Sequence, residues 1–253
     1  MKVRLDHVVV ALITVGIALF YAFGQGTYAL LLFANYGLIL FGALAGLVGL
    51  VSYLQLGRSK MGLFSLGFAV GLLLWMPGLA VYTYTYLIAG VDLPYLSLAD
   101  VFYLLSYPPI LLGCIGLLRE FRSSLERVDW LTTAVVGVLF YLLVALYAVV
   151  PSVQALEDPL EILVTALYPS LDVLILTLLL PVLLAFRKGI FRAPFALLAL
   201  GAALVALGDL AFTYVNLVIG YYDGHPIDLL WFTGFIAYGY GFWRQHAGFS
   251  FRR

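Results

Sequence analysis

Eight apolar runs, each long enough to cross a bilayer, follow one another along the chain with only short polar connections between them. A membrane-spanning helix needs roughly 20 such residues. The runs cover 7–23, 28–54, 62–89, 98–118, 129–150, 160–186, 194–220 and 227–243. In lipid the backbone must satisfy its own hydrogen bonds, and continuous apolar runs of this length do so as helices. The sequence therefore predicts an all-α, polytopic integral membrane protein with about eight transmembrane helices, a single transmembrane domain over 1–253. Charge content agrees. Only 10% of the 253 residues are charged, against about 25% in a soluble domain. Lipid must be the solvent for most of the outer surface. No connection is long enough to form a kinase or cyclase domain.

The distribution of charge sets the expected orientation. With the N-terminus inside, the inner segments hold Lys2, Arg4, Arg58, Lys60, Arg119, Arg122, Arg127, Arg187, Lys188, Arg192, Arg244, Arg252 and Arg253, which are all 13 basic residues. The outer segments hold Asp92, Asp100, Glu157, Asp158, Glu161, Asp223 and Asp228. The excess of Lys and Arg in cytoplasmic loops predicts a multi-pass protein of the cell membrane with both termini in the cytoplasm. A wrong span count would scatter the basic residues over both sides. Met1-Lys2-Val3-Arg4 before an apolar run looks like the start of a signal peptide, but no small-x-small site follows. The first run is expected to stay as a helix. The basic residues are spread over short loops, so no nucleic-acid partner is expected.

Other chemistry is sparse. Cys114 is alone in an apolar stretch, and His7, His225 and His246 fall near helix ends. No metal-ligand spacing results, and no cofactor is indicated. Aromatics such as Tyr82, Tyr84, Tyr86, Tyr95, Tyr103, Tyr221 and Tyr222 flank the outer boundary, and interfacial anchoring is the expected role for most of them. Asparagine is limited to Asn35 and Asn216, a bias found in thermophile proteins that membrane composition alone also produces.

An internal echo is present. Gly78-x4-Thr83-Tyr84-x2-Leu87-x2-Gly90 matches Gly208-x4-Thr213-Tyr214-x2-Leu217-x2-Gly220, and an acid, Asp100 or Asp228, opens the next helix in each case. A four-helix unit used twice would give halves 1–127 and 128–253 in the same orientation. Chance likeness between apolar helices competes with this account, and the first two spans of each half do not visibly match.

The residues that invite a functional reading are acids inside the membrane. Asp172 lies 11 residues beyond Glu161, roughly 16 Å deep at 1.5 Å per residue. Asp209 lies 15 residues beyond Pro194, roughly 22 Å from the other surface. A charge at such depth costs about 2.5–3.5 kcal/mol even on lenient scales. Neither acid is alone on its face. Glu161, Thr165, Tyr168 and Asp172 follow one another at steps of four, three and four, and Asp209, Thr213 and Asn216 at steps of four and three. Such steps keep side chains on one side of a helix. Asp100, Tyr103 and Tyr107 form a third stripe on span four. If the stripes face one another they line an outward polar cleft with the two aspartates at its floor. Tyr107-Pro108-Pro109 and Tyr168-Pro169 place helix breaks at the same level, where a freed carbonyl needs a neighbour. The competing role for these residues is interhelical glue, worth about 0.6 kcal/mol per contact, with Asp172 and Asp209 sharing a proton.

The segments Leu98-Ala99-Asp100-Val101-Phe102-Tyr103-Leu104-Leu105-Ser106-Tyr107-Pro108 and Tyr168-Pro169-Ser170-Leu171-Asp172, with the Gly208-Asp209 helix and the Asp228 helix after it, resemble the multi-helix membrane sensor regions of prokaryotic signalling proteins. In those proteins the membrane region precedes a diguanylate cyclase or histidine kinase domain. The resemblance covers roughly residues 60–245 and implies stimulus sensing in the membrane. With no output domain in the chain, it also implies a separate signalling protein as partner. Three functions follow as expectations. The first is a sensory or ligand-binding module for a lipid, quinone or small amphiphile. The second is a small transporter or channel using the midplane acids. The third is an intramembrane enzyme, for which no zinc-helix motif or nucleophile elbow is present.

Overall fold

The computed structural model describes residues 5–91 and 96–250, with side chains as far as Gln245. The expectations for Lys2, Arg4, Asp92, Tyr95, His246, Arg252 and Arg253 concern side chains outside the described residues. Eight long helices follow one another: α1 (Leu5–Phe23), α2 (Tyr28–Leu56), α3 (Lys60–Thr83, continued by a π-helical turn Tyr84–Ile88), α4 (Leu98–Phe121), α5 (Arg127–Val144, continued by a π-helical turn Ala145–Val149 and Val150–Ala155), α6 (Pro159–Ala185), α7 (Arg192–Val218) and α8 (Asp228–Ser250). No strand occurs among the described residues. The protein is an all-α, multi-pass membrane protein. Seven helices, α1 to α7, are long and apolar enough to cross a membrane. The eighth, α8, is more polar and runs among them, with Phe232, Phe235, Tyr238 and Phe242 fully buried. Its neighbours shield it, so it does not need an apolar exterior.

Helix ends follow local chemistry. Thr27 and Ser59 cap α2 and α3 by accepting from Leu30 and Gly62 amides. Asp158 caps α6, and Pro159 occupies the first helical position, where its missing N–H costs nothing. Asp100 closes a capping box with Ser97 at the start of α4. Gly90 and Gly220 end α3 and α7 with φ of +65° and +101°, in the left-handed region that suits glycine.

The helices form an up-and-down bundle in which two triples pack alike. Within α2-α3-α4 and within α6-α7-α8, each helix packs on the next. The triples then cross over, α2 against α8 and α4 against α6. The first helices break the pattern: α1 lies on α8, whereas α5 lies on α6. Two seams are very close. A Cβ on Gly67 or Gly71 of α3 would strike the backbone carbonyls of Pro109 or Ser106 of α4. Gly201 of α7 meets Tyr238 and the Gly234 carbonyl of α8 in the same way. Small residues let transmembrane backbones approach so that dispersion and polar contacts hold them.

The bundle has two chemically distinct ends. Arg58, Lys60, Arg119, Arg122, Arg127, Arg187, Lys188 and Arg192 lie in the connections α2–α3, α4–α5 and α6–α7 or in the helical turns beside them. These connections lie at one end, where the start of α1 also meets the end of α8 through Tyr240 and His7. Arg187 there pairs with Glu126 and the buried Asp129 at the start of α5, both at 2.8 Å. The other end carries Asp100, Glu157, Asp158, Glu161, Asp223 and Asp228.

Candidate ligand cavity

A cavity of about 480 Å³ enters the bundle from the acidic end, between α2, α3, α4, α6, α7 and α8. Nine of the ten residues singled out by helical spacing line it: Asp100, Tyr103 and Tyr107 from α4, Glu161, Thr165 and Tyr168 from α6, and Asp209, Thr213 and Asn216 from α7. The tenth, Asp172, is not in the wall. It lies behind the floor, where the Tyr107 hydroxyl donates to its Oδ1 at 3.1 Å.

The floor ties four helices together. Tyr107 of α4 donates to Asp172 of α6, which is buried beside Asp209 of α7. The indole N–H of Trp231 in α8 donates to Asp209 Oδ1 at 2.6 Å. Asp172 and Asp209 are 4% and 8% exposed. The Oδ2 atom of Asp172 is buried and has no protein donor among the described residues. Pro108, Pro109 and Pro169 sit inside their helices at this level, and the carbonyl of Tyr168 lies 3.5 Å from the Tyr107 hydroxyl.

The walls have their own pairings. Tyr168 donates to Asp100 Oδ1 at 2.6 Å, while Asp100 Oδ2 holds the Ser97 amide at 2.7 Å. One carboxylate therefore both caps α4 and fastens α6 to it. On the opposite wall Asp223, in the α7–α8 connection, accepts from Asn35 Nδ2 at 2.9 Å and from the Tyr82 hydroxyl at 3.0 Å. Thr83 donates to Asn35 Oδ1 at 3.2 Å. Burial pushes the Asp223 carboxyl above its ordinary range, and the bonds from Asn35, Tyr82 and Tyr221 pull the other way. Beside the cavity, Asp228 accepts from Tyr21, Tyr221 and the Gly224 amide. Glu161 makes no hydrogen bond or ion pair among the described residues.

Sequence spacing pointed to α4, α6 and α7 but missed the contributions of α2, α3 and α8. Asn35 is one of two asparagines in the chain, and that rarity in an apolar run was the available signal. Trp231 stands three residues after Asp228, as Tyr103 stands three after Asp100. Gly78 packs on the ring of Tyr103, and Gly208 packs on the ring of Trp231. The repeated glycine thus makes room for an aromatic of the following helix in both places. The tyrosines read as interfacial anchors divide. Tyr82, Tyr86, Tyr103 and Tyr221 line the cavity, whereas Tyr84 and Tyr222 are exposed. Tyr82 and Tyr221 turn inward to donate to Asp223 and Asp228, acceptors that lipid cannot offer.

Compared with known proteins, the chain matches no family model, no curated protein and no solved structure. Among the described residues, no three His, Cys, Asp or Glu side chains come together as metal ligands.

Proposed function

We propose that the protein is a membrane-embedded ligand-binding module of the sensory kind, with the cavity as its receptor site. The observation that carries this reading is a cavity of about 480 Å³ whose polar residues come from five helices and one connection. Its volume lies in the range of small-molecule sites, about 300–1,000 Å³, and its lining is chiefly apolar and aromatic with a few placed polar groups, as such sites usually are. The one-sided basic residues favour an orientation with the cavity open to the outside and both termini in the cytoplasm of a cell-membrane protein. A small amphiphile would enter from the acidic end and alter the packing of α4, α6, α7 and α8, which meet at the floor. A separate signalling protein would read that change at the basic end.

Native mass spectrometry of the purified protein tests the reading. A small amphiphile retained by the parent and lost on Thr213→Trp, which fills the cavity, is the expected result. Equal retention by parent and variant would place any bound molecule elsewhere. The crossed pairing of α2 with α8 and α4 with α6 favours a second reading, a small transporter built on paired halves. Liposome flux of the same molecule, abolished by Asp209→Asn, is the outcome that would select it.

A further inference from the structure

We infer that the cavity selects an organic cation, an amine or quaternary ammonium group on an apolar body; this rests on the cavity being a ligand site. Three independent features of the lining agree.

The first is charge. Asp100, Glu161, Asp209 and Asp223 line the cavity, and no Lys, Arg or His does. None of the segments at this end contains Lys or Arg, and His225 of the α7–α8 connection is not in the lining. Glu161 has no hydrogen-bond or ion-pair partner among the described residues.

The second is the direction of the hydrogen bonds. Five donors of the lining are committed to the wall, while Trp75, Tyr86, Tyr103, Thr165 and Thr213 keep theirs. Tyr107 donates to Asp172, Tyr168 to Asp100 and Tyr82 to Asp223. Trp231 donates to Asp209 and Thr83 to Asn35. What these groups leave for a ligand is lone pairs. A ligand bringing positive charge or N–H groups finds acceptors on several sides.

The third is the aromatic surface. Ten of the lining residues carry aromatic rings, Trp75, Tyr86 and Phe212 among them. Ring faces attract cations, most strongly where water is excluded, and they also accommodate the apolar body. An acidic cleft without aromatics would suit a metal ion; an aromatic cleft without acids would suit a neutral lipid. Both together fit an organic cation.

The test uses the full chain in nanodiscs of zwitterionic lipid, with empty nanodiscs as blank. Three probes share a six-carbon tail: hexyltrimethylammonium, 1-hexanol and hexyl sulfate. Calorimetric titration should give the cation at least tenfold tighter binding than hexanol and no binding of the sulfate. Glu161→Gln should weaken the cation about tenfold, equivalent to about 1.4 kcal/mol, and leave hexanol unchanged. Hexanol or the sulfate binding as well as the cation does, with all binding lost on Thr213→Trp, would overturn the cation inference and leave the receptor reading standing. No binding of any probe would remove both. The probe comparison on the parent needs no variant to fold.

Discussion

Replacing Asp209 by leucine and by asparagine separates the two jobs of the floor. Asp209 accepts the Trp231 indole N–H at 2.6 Å and faces Asp172 from α7. Asparagine can do both, because its carbonyl accepts from Trp231 and its amide donates to Asp172 without needing a shared proton. Its expected cost is below about 1 kcal/mol, since no buried group loses a partner. Leucine leaves the indole donor unpaired and removes the polar neighbour of the Asp172 carboxyl, which keeps only Tyr107. An unsatisfied buried polar group costs about 1–3 kcal/mol, but interhelical hydrogen bonds in a bilayer average about 0.6 and reach about 1.7, because the unfolded chain in lipid also finds partners. Two lost contacts at the upper bilayer figure give about 3 kcal/mol, and both residues are at least nine-tenths buried. Leucine should therefore cost about 2–4 kcal/mol. Unfolding in bicelles by graded addition of a denaturing detergent, followed by tryptophan fluorescence, reads both variants. Equal losses for asparagine and leucine would refute the hydrogen-bonded floor, and a neutral leucine variant would show that the acids contribute nothing to packing.

Glycine substitutions should split by sign. Gly67→Ala drives a methyl into the Pro109 carbonyl and should cost about 1–3 kcal/mol, whereas Gly116→Ala in α4 meets nothing within 4 Å and should stabilise by about 0.5–1 kcal/mol; two losses in the same unfolding assay would sink the close-seam argument. Asp223 predicts a pH dependence. Its carboxyl is held above the ordinary range by burial, so its protonation contributes stability that is complete below about pH 4 and is lost as pH rises through the folded value. The Tm of the parent minus that of Asp223→Asn should therefore fall as pH rises from about 4 to 7, and a constant difference counts against the buried carboxyl. A reporter active only outside the cytoplasm, fused at Arg253, should stay silent; strong activity would reverse the orientation.

How much of this was visible in the sequence depends on the range of the interaction. Helix class and helix ends are local. Apolar length gives the spans, and Ser97 with Asp100 or Asp158 with Pro159 gives the starts. The stripes on α4, α6 and α7 were legible because helical spacing fixes which side chains share a face. Period alone does not say which face meets which helix. Asn35 and Trp231 joined the cavity through contacts 188 and 22 residues away in sequence, and nothing local announces them. Asp172 was expected in the cleft and lies behind it, because Tyr107 reaches over it from α4. The ends of α3 and α5 were drawn as plain helix, but π-helical turns at Tyr84–Ile88 and Ala145–Val149 interrupt them, and in α5 Pro151 follows closely with no N–H to give.

The close seams also decide how the bundle yields to a load. Gly67, Gly71 and Gly201 bring backbone within reach of backbone and leave little side chain to repack, so α3–α4 and α7–α8 act as stiff plates. Helix α6 has no glycine and contains Pro169 and Pro181, which makes it the compliant member between them. If the cavity is the receptor site proposed above, an occupant pressing outward would bend α6 before parting either plate. The 27 residues of α6 reach about 40 Å at 1.5 Å each, and Arg187, just past its end, grips Glu126 and Asp129 of α5. In that reading the helix would serve as a lever, with its short arm among the acids and its long arm bolted to a neighbour at the basic end.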